Sequence, residues 1–156
     1  MPTVKPKPDG YHSVTAYLVC KNADAAIKWY AKAFGAKEIM RLPMPDGGIA
    51  HAEIQLGDSR VMLSDEIPQF GNKSAETFGG SPVAFMLYVE DVDSAFAKAI
   101  EAGATVKRAV QNQFYGDRTG TLVDPFGYQW SLGTHVEDVS EEEMTRRMAG
   151  MSAAPA

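Results

Sequence analysis

Apolar positions along the chain recur with two periods, and the order in which they do so repeats. SVTAYLVC (13–20), AHAEIQL (50–56) and RVMLSD (60–65) carry the apolar alternation or short apolar runs of strands. Between the first two, Ala23, Ile27, Tyr30 and Phe34 fall on one helical face. Asn22 or Asp24 is placed to cap that helix and Gly35 to end it. MPDGG (44–48) predicts a tight turn between strands. The same order then returns. PVAFMLYV (82–89) predicts a strand, and a helix follows with Val92, Phe96 and Ile100 on its buried face, Asp91 or Asp93 as cap and Gly103 as stop. ATVKRAV (104–110), RTGTLV (118–123) and YQWSLG (128–133) predict three further strands. Between the last two, DPFG (124–127) has the residues of a type I corner.

The two helical segments, NADAAIKWYAKAFGA and DVDSAFAKAIEAGA, are visibly the same unit. The pattern therefore predicts an α+β fold of two βαβββ modules, residues 11–66 and 81–136. Residues 67–80 are rich in turn formers and are expected to form a linker loop. Residues 137–156 are expected to hold a short helix, EDVSEEEMTRRM, and a tail. The acidic start of that helix and its closing Arg146 and Arg147 complement a helix dipole. The tail AGMSAAPA and the first ten residues are expected to be loose.

Composition narrows the class. A chain of 156 residues, 45% apolar, has enough for a core. Its net charge of −5 comes without a basic stripe, which argues against nucleic acid as partner. No apolar run reaches membrane-spanning length, and MPTVKPKPDG is not a hydrophobic signal segment. The one cysteine, Cys20, allows no internal disulfide and suits a reducing cytoplasm; at the end of an apolar strand it reads as a small buried hydrophobe. There is no paired Cys and His zinc pattern.

Strand parity picks out candidate chemistry. If Ala50, Ala52, Ile54 and Leu56 face the helices, then His51, Glu53 and Gln55 face the other way. His51 and Glu53 on one face could serve as an acid–base pair, as half a metal site, or as a polar wall that grips a ligand. In FYGDR (114–118), Gly116 permits a close backbone approach and Tyr115 offers a flat face with a hydroxyl. Arg118 could fork onto an anionic ligand or form a fixed clamp with Asp117. His12 and His135 flank the strands and read as surface, capping or interface residues.

Two βαβββ modules carrying MPDGGIAHAEIQLGDSRVMLSDE and FYGDRTGTLVDPFGYQW resemble the vicinal oxygen chelate superfamily, the glyoxalase, bleomycin-resistance and dioxygenase proteins, and most of all its PhnB-like glyoxalase branch. The resemblance spans about residues 11–135. It implies a U-shaped mixed sheet built from both modules, and in the metalloenzymes of the superfamily a divalent ion held by His, Glu or Gln. The matching positions here are Thr15, one near Met62, one around Pro82, and Ser131. None offers imidazole or carboxylate, and a shift of one residue brings in only Val14, Ala16, Val61, Leu63, Ser81, Val83, Trp130 and Leu132. The expectation is a homodimer that binds a small organic ligand in its groove without a metal or other cofactor. Thr15, Tyr17, His51, Glu53, Met62, Tyr115, Arg118 and Ser131 are the candidate ligand residues, and His51 and Glu53 the catalytic candidates. The alternative is a lyase or dioxygenase that holds a divalent metal through unusual donors. A protein-interaction module is a third class, which the polar row His51, Glu53 and Gln55 disfavours.

Overall fold

The structure, a computed structural model, describes residues 4–152. The chain divides into two compact units. The first runs to Pro82 and takes in Phe126–Tyr128; the second holds Val83–Pro125 and the chain from Gln129 onward.

The first unit is built from β1 (Ala16–Cys20), α1 (Ala23–Phe34), β2 (Lys37–Pro43), β3 (Ile49–Leu56) and β4 (Ser59–Asp65). Asn22 caps α1 by accepting a hydrogen bond from the Ala25 backbone N–H, and Gly35 ends it at φ 69°. Asp24, the other candidate cap, is held instead by Lys28 and Arg41. The sheet order is β1-β4-β3-β2, with β1 parallel to β4 and the other pairs antiparallel. One face buries Leu18, Cys20, Ala52, Ile54, Leu56 and Leu63, and α1 turns Ala26, Ile27, Tyr30 and Ala33 inward. Each fully buried Leu or Ile contributes about 1.5–3 kcal/mol of burial. On the opposite face the register sets Tyr17, Met62 and Glu53 side by side across three adjacent strands.

Residues 67–80, expected as loop, are partly helical. A 3₁₀ turn at Pro68–Phe70 is followed by α2 (Ala75–Phe78), a single turn capped by Ser74. The Glu66 carboxylate accepts from the Ser74 and Thr77 hydroxyls and fixes the turn.

The second unit repeats the plan with β5 (Ala84–Tyr88), α3 (Val92–Glu101), β6 (Thr105–Asn112), β7 (Asp117–Val123) and β8 (Gln129–His135) in the order β5-β8-β7-β6. Asp91 is the cap of α3, not Asp93. The row that corresponds to Tyr17, Met62 and Glu53 is Met86, Ser131 and Thr121. In the corner between β7 and β8, the Asp124 carboxylate accepts from the Trp130 indole N–H at 2.8 Å.

The C-terminal helix α4 (Glu141–Ser152) begins later and runs further than its sequence pattern predicts. The stretch 149–152, expected as tail, is helical; 153–156 lie outside the described residues. Arg147 holds α4 to its own unit, donating to the Glu137 carboxylate and to the Phe114 carbonyl.

The N-terminal arm is the larger correction. Its first three residues lie outside the described residues, but the stretch from Lys5 to Tyr11 carries specific contacts. Lys7 donates to the Tyr11 carbonyl at 2.7 Å, and the Arg60 guanidinium lies 5.5 Å over the Tyr11 ring.

Candidate functional site

In the first unit the arm and the sheet line an open cavity of about 670 Å³. The arm supplies Pro6, Lys7, Pro8, Tyr11, His12 and Ser13; the sheet side supplies Thr15, Glu53 and Met62. That volume is within the roughly 300–1,000 Å³ of small-molecule sites. Proline rings, the Tyr11 ring and the Met62 thioether make most of the wall apolar, and Glu53 sets a carboxylate into it.

Glu53 is also the end of a hydrogen-bonded chain. The Tyr11 hydroxyl donates to Glu53 Oε2, and His51 Nε2 lies 3.2 Å from Glu53 Oε1. His51 Nδ1 in turn lies 2.9 Å from the Tyr17 hydroxyl, with the two rings 5.6 Å apart. The parity of β3 explains the convergence. Ala52 and Ile54 are buried towards α1, so His51 and Glu53 stand on the other face with Tyr17.

The remaining candidates lie in the second unit and do not join this group. Ser131 Oγ shares a 3.1 Å hydrogen bond with Thr121 Oγ1. Tyr115 packs edge-on against Phe114. The expected Asp117–Arg118 clamp does not form, because successive residues of β7 point to opposite faces. Arg118 forks instead onto Asp93 of α3, with two 2.7 Å bonds, and its third contact is Asn112. That pairing pulls the Asp93 carboxyl below the usual range and ties Arg118 to the start of α3.

Asp117 is buried and has its own partners. It accepts from the Tyr88 hydroxyl at 2.7 Å and meets His135 Nδ1 at 2.7 Å, while His135 Nε2 meets Asp138 at 2.9 Å. Asp117 first, then Asp138, raise the His135 imidazole above its ordinary value, and Asp117 raises the Tyr88 phenol. His135 is exposed, as its place after β8 suggests, and is also held in a polar cluster. Gly116, read as a point of close approach, approaches the chain's own backbone. Its carbonyl accepts from the Val136 and Glu137 N–H groups, and an added Cβ would lie 2.1 Å from the Glu137 carbonyl oxygen.

The donor set does not fit the divalent ion of the metalloenzymes. Register places Ala84, not Pro82, opposite Thr15 in the repeat, so the four positions are Thr15, Met62, Ala84 and Ser131. None is a ligand for a hard or borderline cation. Among the described residues no group of three His, Cys, Asp or Glu side chains gathers to hold one.

What the sequence reading missed here is Tyr11 and the arm around it. The arm has neither strand nor helix period, and its Pro-Lys composition is that of a linker. The one local signal was the aromatic at its end.

Comparison with known proteins places this architecture. The model of the Glyoxalase/Bleomycin resistance protein/Dioxygenase superfamily matches residues 10–132. The chain belongs to that superfamily. It is 44% identical over 140 residues to the protein Mb0911c of Mycobacterium bovis, covering 88% of this chain and 92% of that one. The crystal structure of the Arabidopsis thaliana At5g48480 product is similar at 28% identity and a TM-score of 0.62, covering 81% of this chain and 99% of that one. The PhnB protein of Bacillus cereus shares the fold at 16% identity and a TM-score of 0.63, covering 79% of this chain and 99% of that one.

Proposed function

We propose that the protein binds a small organic molecule in the cavity of its first module and does so without a divalent metal ion. The observation that carries this reading is the cavity, with its apolar wall of Pro6, Pro8, Tyr11 and Met62 and the single carboxylate Glu53. The fitting ligand has an apolar body and a hydrogen-bond donor for Glu53. Saturation-transfer NMR with a library of neutral and cationic aromatic and alkyl fragments tests it. Met62→Trp puts an indole into the cavity wall, so its fragment hits should weaken or change while the melting temperature holds. An unchanged set of hits in Met62→Trp refutes the assignment.

We further propose that two chains pair as a homodimer in a reducing cytoplasm. Met86 and Tyr88 lie on one face of β5, an edge strand of its sheet, and both are exposed, which supports a partner surface there. The lone Cys20 is buried and suits that compartment. Sedimentation velocity at micromolar concentration should show a dimer; a stable monomer rejects the pairing.

A further inference from the structure

We propose that Tyr17, His51 and Glu53 form a proton-transfer site that needs no metal, with the Tyr17 phenol as the group that meets the substrate. The proposal deepens the ligand reading of the same face and rests on a molecule entering the cavity that Glu53 lines.

The direction of the hydrogen bonds follows from the atoms. An ionised Glu53 only accepts, so the neighbouring Nε2 of a neutral His51 carries the hydrogen. Nδ1 then holds the lone pair, and the Tyr17 hydroxyl 2.9 Å away must be its donor. The result is a hydroxyl, an imidazole and a carboxylate in line, the order that activates a hydroxyl in unrelated enzymes. Tyr11 donates to the other oxygen of Glu53, so that carboxylate is held from both sides. Tyr17 stands next to Met62 in the sheet, and Met62 lines the cavity. Tyr17 itself is 47% exposed, beside the cavity wall that Met62 forms.

The chemistry this arrangement performs unaided is enolisation of a carbonyl compound with a hydrogen on the adjacent carbon. The C–H bond breaks and its electron pair stays on the substrate as the enolate. The proton joins the Tyr17 oxygen as the phenol's own proton moves to His51 Nδ1, and Glu53 holds the imidazolium. The reverse steps return a proton to carbon, so the net outcome is hydrogen exchange or epimerisation with no oxidant.

Two measurements on the full chain test this. First, N-acetylimidazole acetylates phenols, and peptide mass spectrometry gives the rate at each tyrosine. Tyr17 should react at least about tenfold faster in the natural protein than in His51→Gln. Tyr17→Phe should lose that label and keep its melting temperature. A Tyr17 rate unchanged in His51→Gln overturns the proposal. Second, proton NMR in D₂O follows exchange beside the carbonyl of 2-hydroxyacetophenone, 4-hydroxyphenylacetone and 4-hydroxypropiophenone, each with an apolar body and a hydrogen-bond donor. At least one should exchange faster with protein than with Tyr17→Phe, by about ten- to a hundredfold. Exchange at the Tyr17→Phe rate for all three overturns the catalytic assignment even where labelling succeeds. No fragment binding with fast Tyr17 labelling intact would overturn the ligand reading and the substrate step with it; fragment binding without fast Tyr17 labelling would overturn this proposal alone.

Discussion

Asp117 and Arg118 are neighbours in sequence and strangers in the fold. One is buried with Tyr88 and His135, the other forks onto Asp93. The parity rule that separated His51 and Glu53 from Ala52 and Ile54 was available for this pair too, and it gives the right faces. What no local pattern supplies is the partner, because Asp93 is 25 positions away and is reached through packing. The pair is substantially exposed, so it is worth little: Arg118→Ala should leave the urea unfolding midpoint nearly unchanged and fragment binding intact. Two residues earlier the balance differs. Gly116 sits at φ 98°, with the Glu137 carbonyl where a Cβ would go. Gly116→Ala should therefore cost at least about 2 kcal/mol by the same measurement. A cost near zero would mean that the segment after β8 yields easily.

Among the elements, both helices of the repeat were legible because their signals are local: a side-chain cap, an apolar face, a glycine stop. The arm was not, since its order comes from Glu53 and Arg60, some forty to fifty positions on. One device between helix and sheet also escaped the pattern. At the end of β4, the Asp65 carboxylate accepts from the Ala23 N–H at 2.6 Å and the Ile49 N–H at 2.7 Å, tying the start of α1 to β3. At the matching place in the second module, Thr134 accepts from Val92 N–H and donates to the Val89 carbonyl. The two modules solve one problem with different side chains. Asp65→Ala strands two backbone donors and should cost about 1–3 kcal/mol in chemical denaturation. Asp65→Asn keeps an acceptor for one of them and should cost less. Equal losses in the two variants would argue that charge, not the pair of bonds, holds α1.

For the whole molecule, the βαβββ repeat was readable from periodicity and the superfamily from the resemblance of its motifs, but the cavity was not, because most of its wall has no period to read. The response to pH is likewise a property of assembled parts. His135 is raised by Asp117 and Asp138, so the folded state holds its proton more tightly than the unfolded chain. That stabilisation is complete below the unfolded value of about 6.5 and is lost as pH rises through the higher folded value. Melting temperature should thus fall between about pH 6 and pH 8 by more in the natural protein than in His135→Gln. Parallel curves would show that the imidazole contributes nothing to the balance.

The arm that walls the cavity also decides how the protein should be handled. Pro6, Pro8 and Tyr11 lie within a dozen residues of the N-terminus, where affinity tags and protease scars are commonly placed. A polyhistidine sequence joined to the arm could occupy the cavity or bring in metal of its own. Trimming the first dozen residues to aid crystallisation would remove the Tyr11 contact with Glu53 and open the cavity further to solvent. Screens for the natural ligand should use a tag beyond α4 and an untouched N-terminus.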